Sequence, residues 1–240
     1  MIRRYWLHVL VALLLALLAA ALGFWLWARP APQPHLEHLT LANGSSLVRV
    51  SPSTRAKAQV AVAVPQDQAL SDKQLLDLSQ SADAQLVQVI LPPTDCTLQQ
   101  QSLQQALQQL QGTPTLVAGI GPGAGLAWSW LAAQQDDKAQ AISVGFSLEQ
   151  PGCTTALPKS AAHGHWNVAW NDNPDDASAA FVRDQANAQT SISDYDIHLP
   201  QVLKAQLTQA LLGVDGNALS IPVVEVPAGQ TTDTVTLFLS

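Results

Sequence analysis

The stretch GIGPGAGLAW, residues 119–128, lies between an apolar strand-like run and a helix-like run. TLVAGI leads into it at residues 115–120, and LAWSWLAA leads out of it. Glycine occupies every second position of its first part, at Gly119, Gly121, Gly123 and Gly125. A strand, a sharp glycine turn and a helix form the framework of several catalytic and phosphate-binding loops.

One interpretation of this turn is a dinucleotide-binding loop. GIGPGA matches the spacing G-x-G-x-x-G/A, and Glu149, just after the run AISVGF, would take the place of the ribose-binding acid. Several strand-like runs precede the turn, however, whereas that fingerprint opens the first βαβ unit of its fold. A Rossmann-like binding domain remains the alternative interpretation.

The other interpretation is the nucleophile elbow G-x-S-x-G of α/β-hydrolases. The outer glycines are then Gly119 and Gly123, which let strand and helix pack closely, and Gly121 stands where the serine would be. We take these three glycines as the binding framework of the turn. Ser129 lies too far along the helix to replace the nucleophile, and Ser143 lies inside an apolar strand. The alignment predicts a hydrolase fold without covalent catalysis of its own.

Acidic and histidine residues follow the turn in the order that hydrolase triads require, nucleophile, acid, then histidine. Asp172 and Asp175 come after the strand-like run WNVAW, and His198 lies further on. Asp172 and His198 are therefore candidate relics of a triad. The competing interpretation makes both aspartates turn or helix-capping residues and His198 an ordinary loop histidine.

Strand and helix patterns alternate along most of the chain. Strands are predicted at residues 47–50, 59–64, 86–91, 115–120, 141–146 and 166–170, and helices at 72–81, 97–111, 123–135, 174–187 and 199–212. This alternation predicts an α/β fold with a mostly parallel sheet and helices on both faces.

Composition and the N-terminus constrain location and partners. The 240-residue chain carries a net charge of −7, which excludes the basic surface that nucleic-acid binding needs. Residues 5–27 are almost wholly apolar and form a helix of about 34 Å, long enough to span a bilayer. Arg3 and Arg4 precede it, so a cytoplasmic N-terminus and an exported body are expected. A cleaved signal peptide is the alternative.

Two cysteines and two histidines were the remaining candidates for chemistry. Cys96 and Cys153 allow one disulfide in an oxidising compartment, and two free thiols are the alternative. His163 and His165 lack further ligands at metal-site spacing, so we expect no metal and no cofactor.

Several stretches, taken in order, resemble the AcvB/VirJ family of bacterial virulence proteins. They are LPPTDC at residues 91–96, GIGPGAGLAWSWLAA at 119–133, AISVGFSLEQPGC at 141–153 and IPVVEVPAGQTTDTVTLFLS at 221–240. The resemblance implies that this chain is the first of two hydrolase-like halves, and that the second half carries the catalytic serine. It implies a periplasmic, inner-membrane-anchored protein that hydrolyses the ester of aminoacyl-phosphatidylglycerol.

The resemblance also implies partners and a domain organisation. The implied partners are inner-membrane lipid, a C-terminal VirJ-like catalytic domain and proteins of type IV secretion; a scaffold of that secretion system is the alternative function. The expected segments are an anchor or signal at residues 1–29, a proline-rich spacer at 30–38, a hydrolase-like domain lacking the nucleophile at 39–220, and a linker with the first strand of a missing domain at 221–240.

Overall fold

A computed structural model of the chain describes residues 2–29 and 32–213. Its first element is helix α1, Ile2–Trp27. Within α1, Tyr5–Trp27 has a mean hydropathy of 2.7 and is not buried against any other described residue. By length and composition it is able to cross a membrane or to act as a signal sequence. The predicted linker and strand at 221–240 lie outside the described residues.

The rest of the described chain alternates strands and helices. The strands are β1 His35–Thr40, β2 Ser46–Ser51, β3 Ala58–Val64, β4 Ala84–Ile90, β5 Leu116–Ile120, β6 Gln140–Val144, β7 His165–Trp170 and β8 Ala188–Ile192. The helices are α2 Asp72–Ala82, α3 Cys96–Leu107, α4 Pro122–Ala132, α5 Asp176–Arg183 and α6 Leu199–Leu212.

All eight strands form one sheet in the order β1-β2-β4-β3-β5-β6-β7-β8. β1 pairs antiparallel with β2, and β2 pairs antiparallel with β4. Every other neighbouring pair is parallel, for example β3 with β5, in which Val60 lies opposite Leu116. The carboxyl ends of β3 to β8 therefore meet at one edge of the sheet, where loops carry functional groups in open α/β folds.

Helices cover both faces of this sheet, as the sequence predicted. α3, α4 and α5 pack on one face over a core that contains Trp128, Trp166 and Phe146. α2 and α6 pack on the other face, over Val62, Ile142 and further residues of the central strands. Strand β3 is buried along most of its length because its neighbours β4 and β5, with helices above and below, leave it no solvent.

Two edge strands differ from the sequence prediction. β1 begins at His35, so the proline-rich spacer is shorter than residues 30–38. β8 was not predicted, because its sequence AQTSI has few apolar residues and stays mostly exposed. An edge strand has a neighbouring strand on one side only. Because fewer of its side chains are buried, its hydrophobic pattern is weak.

Candidate functional site at the glycine turn

The glycine turn joins β5 to α4 at the carboxyl edge of the sheet, near its centre. β5 ends at Ile120, and α4 begins at Pro122. Gly121 alone makes the connection, with φ 58° and ψ −115°, and its N–H donates to the carbonyl of Val144 at 3.1 Å. A side chain in this conformation is strained, which is the state in which hydrolase elbows hold their nucleophile.

The two outer glycines are required by close backbone approach. A Cβ on Gly119 would overlap the backbone of Gly123, and a Cβ on Gly123 would overlap the carbonyl oxygen of Ala63 in β3. A Cβ on Gly121, by contrast, would meet no atom within 4 Å. The turn thus packs tightly on both sides of an open central position that carries no side chain.

Pro122 removes a second catalytic group from the turn. In the elbow arrangement the backbone N–H of the residue after the nucleophile donates to the oxyanion of the tetrahedral intermediate. Proline has no N–H, so position 122 cannot stabilise that charge. The sequence GIGPG itself indicates the missing N–H, because the elbow alignment places proline directly after the nucleophile position.

Asp172 and His198 lie at the same edge of the sheet but do not form a catalytic pair. Asp172 follows β7, where its carboxylate accepts the N–H of Asn173 at 2.7 Å. His198 follows β8 and precedes the first residue of α6. Both side chains are exposed, and within residues 32–213 no hydrogen bond or ion pair joins them. Asp172 and His198 follow the glycine turn in the order of a triad, but in the described structure their side chains do not contact each other.

Asn171 holds these two loops together. Its side-chain Nδ2 donates to the carbonyl of Ile197 at 2.8 Å, which ties the end of β7 to the loop before α6. The bond fixes the backbone beside His198 without contacting its ring. The bond therefore gives Asn171 a structural role between these two loops.

Asp175 is a helix cap, which confirms the competing interpretation that made it a capping residue. Its carboxylate accepts the backbone N–H of Ser178 at 2.8 Å and the Ser178 hydroxyl at 2.6 Å. The bond from the Ser178 side chain, and then that from its backbone, lowers the pKa of Asp175 below its usual value. The buried Ser178 Oγ also accepts the N–H of Leu148, so the cap anchors α5 to the loop after β6.

Other hydroxyls near the turn do not replace the nucleophile. Ser143 is fully buried and donates to the carbonyl of Ala124 while accepting the indole N–H of Trp166. Ser129 lies two helical turns beyond Gly121, and Ser147 accepts the N–H of Glu149. Among the residues that the structure describes, no histidine or carboxylate bonds to these three hydroxyls, so none is activated.

A disulfide holds the loop after β6 over this site. Cys96, the first residue of α3, is joined to Cys153, with 5.2 Å between their Cα atoms. Strands β3 and β5 separate β4 from β6, so the bridge spans the middle of the sheet edge. Gly152 passes close to the carbonyl of Thr94, where no side chain fits. The covering loop is therefore fixed at its tip.

Two cavities lie between this loop and the turn. One, of about 190 Å³, is lined by Pro93, Gln99, Gly121, Pro122, Gly145, Ser147, Glu149, Gln150 and Pro151. The second, of about 220 Å³, lies on the other side of Gln99 and Gln150, along α4. Both are large enough for a small ligand or several waters. Sequence reasoning missed Gln99 and Gln150, since no motif marks them.

The remaining candidates carry no site. His163 bonds to Asp137 at 2.7 Å, and in the described ranges no cluster of three metal-ligating side chains occurs.

Glu149 is exposed in the loop after β6, and the glycine turn follows the fifth strand of the chain. The strand order, with antiparallel β1 and β2, is not the dinucleotide-binding order, so the Rossmann-like alternative is wrong.

Comparison with solved structures identifies the fold class. The chain is similar to an alpha-beta serine hydrolase homologue from Coxiella burnetii (TM-score 0.53, 14% identity, covering 75% of this chain and 96% of that one). It is also similar to a membrane phospholipase A described as a bacterial virulence factor (TM-score 0.51, 12% identity, 88% and 98% covered). A cold-adapted esterase from an Arctic intertidal metagenomic library gives a TM-score of 0.50 at 11% identity, with 77% and 96% covered.

At these identities the likeness establishes the fold alone. The chain has an α/β-hydrolase fold, preceded by an apolar N-terminal helix. No protein-family model and no curated protein sequence matches it. The site itself has the backbone of a hydrolase elbow without the nucleophile, the first oxyanion donor or a joined acid–histidine pair.

Proposed function

We propose that this chain is a non-catalytic hydrolase-like domain, tethered to the inner membrane with its body in the periplasm. Its function is to support a catalytic partner domain of the VirJ type, which hydrolyses the ester of aminoacyl-phosphatidylglycerol. The observation that carries the proposal is the pair Gly121–Pro122. An intact elbow backbone there has lost both the attacking oxygen and the oxyanion N–H that follows it.

Two roles are alternatives for this chain, a domain that positions its partner and a degraded enzyme with some residual turnover. The retention of the elbow supports the first. The close contacts of Gly119 and Gly123 keep the sheet edge in its hydrolase geometry, although no reaction uses it. The disulfide and the α5 cap both fix the loop above it. A rigid edge of this kind suits a binding or docking surface.

The N-terminal helix supports a location at the membrane. Tyr5–Trp27 ends only seven residues before β1 begins at His35. Even at a full extension of about 3.6 Å per residue, this length of chain keeps the domain within roughly 30 Å of the end of the helix. If the helix is retained as an anchor, the domain remains beside the lipid on which the partner acts.

The test compares this chain with a version extended by the second, VirJ-like half. Both are purified in detergent micelles and given lysyl- and alanyl-phosphatidylglycerol, and release of the free amino acid is measured. We expect release by the extended protein only. The matched control replaces the serine of the second half by alanine, which should abolish release. Hydrolysis by the present chain at an enzyme-like rate would overturn the proposal, and so would full activity of the second half without it.

A further inference from the structure

Two cavities over the glycine turn share part of their walls. Gln99, Pro122 and Gln150 line both the cavity of about 190 Å³ and the cavity of about 220 Å³. The first opens onto Gly121, where a serine side chain would stand in a hydrolase. The second runs along α4 beneath the disulfide. The two glutamine side chains form the polar part of the wall between them.

Gln99 presents an unpaired carbonyl oxygen. The residue is only 3% exposed, and its Nε2 donates to the carbonyl of Pro92 at 2.7 Å. Only the NH₂ group of a carboxamide donates, so this bond fixes which side carries Oε1. In the described part of the chain no group donates to that oxygen. Because Gln99 lines both cavities, this oxygen stays accessible to solvent, and a ligand that enters would replace water there.

Gln150 has the same arrangement from the opposite side. Its Nε2 donates to the carbonyl of Ser147 at 2.7 Å, which turns Oε1 toward α4. That oxygen lies 2.9 Å from the position of a Cβ on Gly125, so the missing side chain of Gly125 makes room for it. No described residue donates to it either. Two carboxamide oxygens therefore line the cavities as free acceptors.

The charge of the walls disfavours an anion. Among the described residues no lysine, arginine or histidine lines either cavity, and Glu149 lines the first. The other lining side chains are apolar, such as Leu126 and Leu157, or carry a hydroxyl or carboxamide, as in Ser129, Ser147, Thr155 and Gln100. The two unbonded carboxamide oxygens, beside a carboxylate, match a ligand that brings N–H groups.

We propose that the cavities over Gly121 bind a small ligand through an N–H-donating nitrogen, a primary ammonium or a primary amide, held by the carbonyl oxygens of Gln99 and Gln150. The apolar walls hold the short carbon chain attached to that nitrogen. This inference rests on the proposed function in one respect only, that the ligand is bound without being cleaved.

The experiment uses three probes of equal size and different head groups: propylammonium, propionamide and propionate. Each is titrated against the full chain in detergent micelles, with binding followed by saturation-transfer NMR and empty micelles as the blank. We expect propylammonium and propionamide to bind at least tenfold more tightly than propionate. Comparison of the first two reports how much the charge of Glu149 contributes.

Matched variants assign the binding to the two oxygens. Gln99→Leu should weaken propionamide binding about fivefold, by loss of one hydrogen bond. Gln104→Leu, at an exposed position of the same helix, should leave it unchanged. Gly125→Ala displaces the Gln150 carboxamide at a position where alanine suits a helix, so it should weaken binding in a folded chain.

Equal binding of all three probes, no binding of any, or unchanged affinity in both Gln99→Leu and Gly125→Ala would overturn this inference. These outcomes leave the proposed function untouched, because they do not measure hydrolysis. Conversely, turnover of an ester by this chain would overturn the proposed function while probe binding stayed intact.

Discussion

Gly119 in β5 packs directly on the backbone of Gly123 in α4, and a Cβ on either residue would overlap backbone atoms. For Gly119 these atoms belong to Gly123, and for Gly123 they belong to Ala63 in β3. Strand, turn and helix are thus locked against the centre of the sheet. The contact explains why the outer glycines of the elbow remain where no nucleophile does.

Gly119→Ala and Gly123→Ala should each destabilise the chain strongly. The added methyl group has to displace backbone, and overpacking of this kind costs about 1–3 kcal/mol or more of the free energy of unfolding. Urea unfolding followed by tryptophan fluorescence measures it. Gly112→Ala is the control, since its Cβ would meet only the flexible side chain of Gln59. Equal stability of Gly123→Ala and Gly112→Ala would contradict the packing argument.

Gly121→Ser should fold and remain inactive toward p-nitrophenyl acetate. A Cβ at position 121 has open space, so the cost is the strain of φ 58°, about 1–3 kcal/mol. The new hydroxyl would lack a paired histidine, and Pro122 supplies no N–H to the oxyanion. Hydrolysis and labelling by a fluorophosphonate probe are the two measurements.

The double variant Gly121→Ser/Pro122→Ala separates these defects. It restores the backbone donor but leaves Asp172 and His198 unjoined, so we expect at most a small gain over the single variant. Enzyme-like turnover by either variant would show that the edge still holds a working acid–base pair.

Buried parts of the fold were predictable from the sequence because burial imposes a pattern. AQVAVAV of β3 is covered on both faces, so nearly every residue is apolar. Among the described strands β8, AQTSI, pairs only with β7 and is mostly exposed, so its sequence resembles a loop. β1 was likewise missed, since its alternation falls inside a stretch that begins with prolines.

The site was predictable only where local geometry dictates residue type. The spacing of Gly119, Gly121 and Gly123 follows from one tight turn, and sequence contains that information. The acceptors of Gln99 and Gln150 arise where α3 meets the loop after β6, from parts of the chain that no local pattern connects. Whether Asp172 and His198 join is likewise a property of two separate loops.

Cys96→Ser/Cys153→Ser should lower the free energy of unfolding. The bridge closes a loop with a sequence separation of 57, for which chain entropy gives about 4 kcal/mol. Urea unfolding of this variant and of the parent chain, with and without reductant, measures the difference. Reductant should lower the free energy of unfolding of the parent chain and leave that of the variant unchanged. The mass of the parent chain after alkylation should show two modified thiols only when the chain has first been reduced. A parent chain that is alkylated without reductant would contradict the bridge.

Asp175→Ala should destabilise the chain in a pH-dependent way. The bonds from Ser178 lower the pKa of Asp175 below its usual value, so the ionised cap is favoured in the folded state. A lowered folded pKa contributes stability above the unfolded pKa, and this contribution is lost as pH falls through the folded pKa. The cap is worth about 1 kcal/mol at neutral pH.

The difference in free energy of unfolding between parent and Asp175→Ala should therefore be largest near neutrality and shrink as the pH falls below about 4, the ordinary pKa of an aspartate. Asp176→Ala is the matched control, because Asp176 starts the same helix with the same charge but no capping bond. That variant should lose far less stability at pH 7. An equal loss in both variants would mean that charge near the helix terminus, and not the bond to Ser178, holds α5 and the loop above the glycine turn.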